Sequence, residues 1–304
     1  MKKRVLALHY SQTGQLSGVL ASFLRGLDPE HFEVETVCLR PREPYPFPWS
    51  FGDFIDTFPE TVLGIVPELE PTGIDPDASY DLVVLAYTVW YLAPAPPIQA
   101  FLASDEARVL AGKPVVTLIA CRNMWHQASE QVKTRLAELG AHHQDNVAVV
   151  DQGPAWATFV TTPRWMFTGK KDAFWKFPPA GVSEEEVAAV ERFGRALTEQ
   201  RDRIGETPVR PLLTGLGAVR IDRKFVIPEL MGRTLFAPWS RITRWAGPPG
   251  GLLRAFLLRV FTTNLLLVVL ILIPLSIVVR LLLYPFLRAP LRAYTARLMA
   301  PSGE

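Results

Sequence analysis

The chain contains a run, residues 81–87 (DLVVLAY), that is apolar at every position after the first. A strand with no polar alternation has no face to give to water, so both of its faces must be covered, which is the condition of a strand inside a parallel sheet. Comparable strand segments are predicted at 4–9, 32–39, 114–120 and 146–151. Between them run longer amphipathic stretches. Leu16, Val19, Leu20, Phe23 and Leu24 recur at helical spacing and predict a helix to about Gly26. A second helix is predicted to open at Pro97, and a third at 128–139, stopped by Gly140. A closing helix should start at Ser183, which stands three residues before Glu186, and it carries Val187, Val190, Phe193 and Leu197 on one side. Strands alternating with helices predict an α/β fold with a doubly wound, five-stranded parallel sheet.

In 304 residues this leaves about a third of the chain beyond the last predicted helix. Glycine and two prolines break the pattern at 205–211, which sets the expected domains at 1–204 and 205–304. The two parts differ in charge. Residues 1–204 hold 19 Lys/Arg against 26 Asp/Glu, whereas 205–304 hold 13 against 4. A basic tail suits an anionic partner, either nucleic acid or a phospholipid surface. Hydrophobicity chooses the lipid, because residues 260–279 (VFTTNLLLVVLILIPLSIVV) contain no charge, and a helix of that length spans ~30 Å, the thickness of a bilayer core. Residues 265–272 are apolar around every face, unlike an ordinary surface helix. Trp239, Trp245 and many arginines flank the span, so the tail from about Leu212 reads as membrane-associated, either as a single span or as a re-entrant anchor bent at Pro274. The apolar run after MKKR ends at Leu8, too short for a cleavable signal, so the first domain is expected to face the cytosol at the cytoplasmic membrane. Cys38 and Cys121 are too few for a disulfide scaffold, and the five histidines show no metal-ligand spacing.

The first predicted strand ends at Tyr10-Ser11-Gln12-Thr13-Gly14 and turns directly into a helix. Backbone N–H groups, hydroxyls and the positive end of a helix dipole then converge on a site for a phosphate monoester, and Gly14 allows a close backbone approach. There is no GxxxxGK[ST] and no GxGxxG after the first strand, so neither a P-loop nor a dinucleotide Rossmann site is expected.

This loop resembles the flavodoxin-like superfamily, whose first loop reads approximately Thr/Ser-x-Thr-Gly-x-Thr and cradles the phosphate of FMN. Ser11, Thr13 and Gly14 match, while Leu16 replaces the last hydroxyl and Ser17 stands next to it. The stretch YDLVVLAYTVWYLAPAPPIQAFL is similar to the part of that family in which an aromatic residue lines the flavin. The resemblance covers about residues 1–200 and implies the sheet order 2-1-3-4-5. It also implies FMN contacts from Ser11, Gln12, Thr13, Gly14, Gln15, Leu16 and Ser17, from Thr88, Val89, Trp90 and Tyr91, and from Cys121, Arg122 and Asn123. Trp90 or Tyr91 would stack on the ring, the alternative being that Trp90 is core. No catalytic acid or base is assigned: Tyr91, Arg122 and His126 fall on these loops as positioning or packing residues. Residues 151–171 resemble bacterial flavodoxin-like proteins of dialkylresorcinol or aryl-polyene pigment biosynthesis. No Cys-His-His arrangement supports a condensation there, so a flavin redox step such as oxidative aromatisation suits the fold better.

An insertion at about 41–76, dense in proline and aromatic residues, reads equally as a lid over an apolar substrate or as a satellite core. The function expected is a membrane-associated FMN-dependent oxidoreductase acting on a lipophilic small molecule, a quinone or polyketide-like ring, with NADH or NADPH as possible electron donor. The partners expected are membrane lipid and either that small molecule or a redox partner protein, with no nucleic acid. A membrane-tethered electron-transfer module and a flavin-free scaffold are the alternatives.

Overall fold

The computed structural model describes residues 2–272 and 288–303. Five parallel strands form one sheet: β1 (Lys3–His9), β2 (Phe32–Cys38), β3 (Leu82–Tyr87), β6 (Pro114–Cys121) and β7 (His142–Val150), in the order β2-β1-β3-β6-β7. A two-stranded hairpin, β4 (Val89–Trp90) with β5 (Ala93–Pro94), follows β3 directly. Counting only the main sheet, the order is the expected 2-1-3-4-5. The sheet is built outward in both directions from β1, and right-handed crossovers therefore place helices on both of its faces. Every residue of β3 and β6 is buried accordingly, while β2 is an edge strand with Glu33, Val34, Glu35 and Thr36 exposed.

The helices are α1 (Gln15–Arg25), α2 (Phe51–Asp56), α3 (Phe58–Leu63), α4 (Pro96–Ala103), α5 (His126–Glu138), α6 (Ala155–Thr168), α7 (Glu184–Ala189), α8 (Glu191–Glu199), α9 (Arg223–Trp245) and α10 (Leu252–Leu267). The amphipathic reading of α1 holds, with Leu16, Val19, Leu20 and Phe23 buried. α1 and α8 meet backbone to backbone: a Cβ at Gly26 would lie 2.2 Å from Glu191 O, and one at Gly194 would lie 2.1 Å from Phe23 O. Ser183 caps α7 through Glu186 N as its spacing predicted, but the closing helix breaks at Val190 into α7 and α8. α6 was not predicted, and it runs through Pro163.

One strand begins four residues earlier than expected. β7 starts at His142 rather than Asn146, so the polar run His143-Gln144-Asp145-Asn146 lies in the sheet. The partners that make this possible come from the end of the chain. The Asp145 carboxylate, fully buried, accepts from Leu212 N, Leu213 N and Ser302 Oγ at 2.7–3.1 Å. Burial pushes that carboxyl above its ordinary range although these donors pull the other way. Asn146 N donates to Ser302 Oγ, and Ala148 N to Ala218 O, so the segment after 205 covers the outer edge of β7.

Beyond that segment, α9 and α10 pack on the insertion. Ile55, Phe58, Phe236, Leu258 and Phe261 form a second core separate from that of the sheet, with Phe58 and Phe261 stacked at 4.2 Å. The satellite-core reading of the insertion therefore holds for α2 and α3. α10 continues through a π-helical turn at Val268–Leu272, and Leu252–Ile271 is long and apolar enough to cross a membrane, with mean hydropathy 1.9 and 17% of that stretch buried. It starts eight residues before the uncharged run and carries Arg254 and Arg259 near its start. Pro274 and the rest of the run to 279 lie outside the described residues.

Candidate functional site

All five strands run parallel, so the loops after β1, β3 and β6 leave the same edge of the sheet. At the first loop, Gly14 takes the left-handed conformation at φ 80 and forms the N-cap of α1. It has no side chain with which to cap the helix, and nothing lies within 4 Å of where a Cβ would sit. The start of α1 therefore faces open space at Gly14, and the side chain that reaches its first amide is that of Thr13, whose Oγ1 accepts from Gln15 N at 3.4 Å. Ser11, Thr13 and Ser17 are partly exposed around it. Leu16 points away from this space and is buried in the sheet core, so its side chain offers a ligand nothing. Gln12 and Gln15 are braces: Gln12 Nε2 donates to Pro46 O at 2.6 Å, and Gln15 Nε2 to Val182 O at 3.2 Å. His9, at the end of β1, has Nε2 3.1 Å from Ser17 Oγ, and burial lowers its pKa, which favours the neutral ring. Its Nδ1 is buried without a hydrogen-bond partner among the described residues.

The second loop is the β4–β5 hairpin. Its turn holds Tyr91 at φ 49 and Leu92 at φ 64, and the third loop holds Met124 at φ 54. Each costs about 1–3 kcal/mol for a non-glycine residue, and strain of this kind gathers where a site is being shaped. Trp90 is partly buried and lies edge-on to Tyr10 at 6.1 Å, Tyr45 at 5.0 Å and Trp49 at 5.6 Å. The insertion thus supplies two of the three rings that fix the indole. Tyr91 is turned into the second core instead, where its hydroxyl donates to Phe54 O at 2.5 Å and burial holds its pKa far above normal. Trp90 and Tyr91 are neighbours in sequence but serve opposite sides of the hairpin.

The third loop starts at Cys121, whose buried thiol donates to Asn123 O at 3.6 Å and has its pKa raised by that burial. Arg122 stacks its guanidinium over Phe159 at 4.3 Å. Burial lowers its pKa, opposed by the nearby Asp151 carboxylate. Asn123 is partly exposed beside it. α5 then begins at His126, and its first turn is tied down by a residue over a hundred positions away. Glu229 of α9, fully buried, accepts from Gln127 N at 2.6 Å and puts its other oxygen 2.6 Å from His126 Nδ1, a close contact rather than an aligned hydrogen bond. Arg233, one turn on, donates to Gln127 Oε1 at 2.8 Å. Between them Gly232 comes so close to the hairpin that a Cβ there would lie 2.9 Å from Leu92 Cδ1. α9 therefore braces the second and third loops together.

The structure gathers Ser11, Thr13, Gly14 and Ser17 at the start of α1, and Tyr10, next to Ser11, makes the ring contact to Trp90. It withdraws the side chains of Leu16 and Tyr91. Three hydroxyls and a helix N-terminus suit a phosphate monoester, and the open Cβ position of Gly14 leaves room for it, so the residues present fit the phosphate end of FMN. Sequence reasoning missed His9, Glu229 and Gly232. His9 carried a signal, being the last strand residue before the loop, whereas nothing local marked the other two. Among the described residues no group of His, Cys, Asp and Glu could hold a metal ion.

No protein-family model and no curated protein matches the sequence. Among solved structures, a flavoprotein in complex with FMN from Lactobacillus acidophilus is similar over 48% of this chain and 93% of its own, at 20% identity and TM-score 0.39. A flavodoxin from the domain Archaea is similar over 66% of this chain and 99% of its own, at 9% identity and TM-score 0.36. The general stress protein 14 of Treponema denticola, in complex with FMN, is similar over 65% and 98%, at 9% identity and TM-score 0.33. By its own parallel order β2-β1-β3-β6-β7, with the three loops at one carboxyl edge, the chain has the flavodoxin-like fold that the loop from Ser11 to Ser17 implied.

Proposed function

We propose that the protein is an FMN-dependent oxidoreductase attached to a membrane by α10 and acting on a lipophilic substrate such as a quinone or a polyketide-like ring. The observation that carries this reading is the open N-terminus of α1, capped by a side-chain-free Gly14, ringed by three hydroxyls and set beside Trp90. Ser11, Thr13, Ser17 and the first amides of α1 would hold the phosphate. Thr88, Val89 and Trp90 would border the ring on one side, and Cys121, Arg122 and Asn123 on the other. FMN, when bound, supplies hydride or single-electron transfer. The protein's part is to orient the ring and exclude water, and the aromatic wall of Tyr10, Tyr45, Trp49 and Trp90 is apolar enough for both.

Attachment rests on Leu252–Ile271, whose side chains the protein itself scarcely covers. In this reading the body faces the cytosol, because FMN and NADH or NADPH are supplied there. The test is an FMN titration of the full chain in mild detergent, followed by flavin fluorescence. Wild type should bind and quench FMN through Trp90. Thr13→Val removes one hydroxyl from a charged acceptor, worth about 1.5–3 kcal/mol, and should weaken binding roughly 10- to 100-fold with no change in the melting curve. Lack of binding by wild type would overturn the reading, leaving a flavin-free scaffold.

A further inference from the structure

The segment after β7 exposes more aromatic surface than its packing explains. α6 buries Ala157, Thr158 and Thr161, yet Phe159 and Val160 are exposed and Trp156 is 63% exposed. Past α6, Phe174 and Phe177 close a tight backbone hairpin, with Phe177 N donating to Phe174 O at 2.9 Å and Phe174 N to Phe177 O at 3.2 Å, and their rings stack at 5.1 Å. Trp175 stands at the tip, 84% exposed and held at φ 49. A bulky residue in the left-handed region is strained, and here burial offsets none of it. Trp156 and Trp175 both lie against Phe177, at 5.7 and 5.9 Å, so the rings form one outward-facing cluster.

The surroundings are basic. Lys176 Nζ sits 5.7 Å from the Trp175 ring, Lys171 packs over Trp165, and Lys170 is exposed. The one carboxylate in this stretch, Asp172, is taken by Arg164 at 3.1 and 3.2 Å. Indoles beside lysines are the composition of a membrane interface, where the ring sits among headgroups and the ammonium reaches anionic lipid.

We propose that Trp156 and the finger at 174–177 form a second membrane contact, seated in the headgroup layer of an anionic bilayer. The proposal rests on α10 being the membrane segment. Continuity through α2 supports it: Phe167 of α6 packs on Phe51 and Phe54 of α2, and Asp56 at the end of α2 binds Arg254 of α10. α6, whose Arg164 lies over Phe174 of the finger, and the apolar helix are thus fixed to the same short element. Because Arg122 of the third loop stacks on Phe159 of α6, the finger also brings the mouth of the candidate site to the lipid surface, where lipophilic molecules concentrate.

The test uses the full chain reconstituted in vesicles of phosphatidylcholine and phosphatidylserine, with bromine placed at shallow or deep acyl positions. The emission of Trp175 is read as the difference between wild type and Trp175→Phe, which keeps an aromatic tip. Flotation of the vesicles reports α10 separately. The expected result is that the protein floats, that shallow bromines quench the Trp175 component more than deep ones, and that Lys176→Gln lowers the docked fraction roughly fivefold. A floating protein whose Trp175 component is unquenched overturns the finger contact alone and points to water or a redox partner protein at that surface. A protein that does not float overturns the membrane reading of α10, and the finger contact with it.

Discussion

The two ends of the candidate site are built by opposite means. At the phosphate end, one continuous stretch from His9 to Ser17 contributes the strand end, the hydroxyls, the glycine and the helix start. At the ring end, Trp90 is held by Tyr45 and Trp49 from the insertion, while α9 braces its hairpin through Gly232 and the start of α5, after the third loop, through Glu229. A local site survives as long as its own turn and helix form. A site assembled from residues 45 to 232 depends on every element that carries them, so the tail also shapes the ring end. The difference makes the two ends separable by mutation.

The largest effect expected is at Glu229. Glu229→Ala leaves Gln127 N and the His126 ring buried without the carboxylate they face, and a buried polar group left unsatisfied costs about 1–3 kcal/mol. Urea unfolding in detergent should show a loss of that size. Hydrogen exchange should show Gln127 N, whose acceptor is Glu229, losing protection while Gly18 N, which bonds Gly14 O within the phosphate loop, keeps its own. Equal loss at both amides would mean that the ends are not independent.

The same contrast explains what could be read in advance. The sheet was legible because its central strands are apolar on both faces, a condition that sequence alone displays, and the turn from β1 through Gly14 into α1 was legible because its signal is local. The start of β7 was not, since Gln144, Asp145 and Asn146 look like a turn until Leu212, Leu213 and Ser302 arrive to satisfy them. α6 and α9 were hidden by Pro163, Pro228 and Pro238, each of which argues locally against a helix that tertiary packing nevertheless holds. Trp90 and Tyr91 were indistinguishable as adjacent aromatics, because only the left-handed turn sends one to the site and the other to the second core.

Leu16 sharpens the comparison from the phosphate side. By position it replaces a hydroxyl, but its side chain belongs to the sheet core. Leu16→Thr is therefore expected to cost about 2 kcal/mol through lost apolar volume and a buried hydroxyl, and to leave FMN affinity unchanged. Thermal unfolding and FMN titration of the same sample check the two halves of that statement. Tighter FMN binding would show that the loop tolerates a side chain turned outward at this position, and that the lost hydroxyl matters after all.

The smallest effect expected is a response to acid at the junction of insertion and tail. Glu60 of α3 receives Arg254 at 2.5 and 2.8 Å and Arg244 at 2.8 Å. Burial pushes its carboxyl up, but the two arginines more than offset this and leave it below the ordinary carboxylate range. A carboxyl whose pKa is depressed on folding stabilises fully above its unfolded value, about 4.3 for glutamate, and that stability is lost as pH falls through the lower folded value. Glu60 keeps some contact with water, so the effect is graded and weaker than either substitution. Hydrogen exchange between pH 6 and pH 3 should show α9 and the start of α10 loosening from α3 below about pH 4, before the first turn of α1, whose loop from Ser11 to Ser17 contains no carboxylate. Simultaneous loosening of α1 would trace the acid response to the sheet rather than to this clamp, and Glu60→Gln, which cannot titrate, should flatten the response at α9 alone.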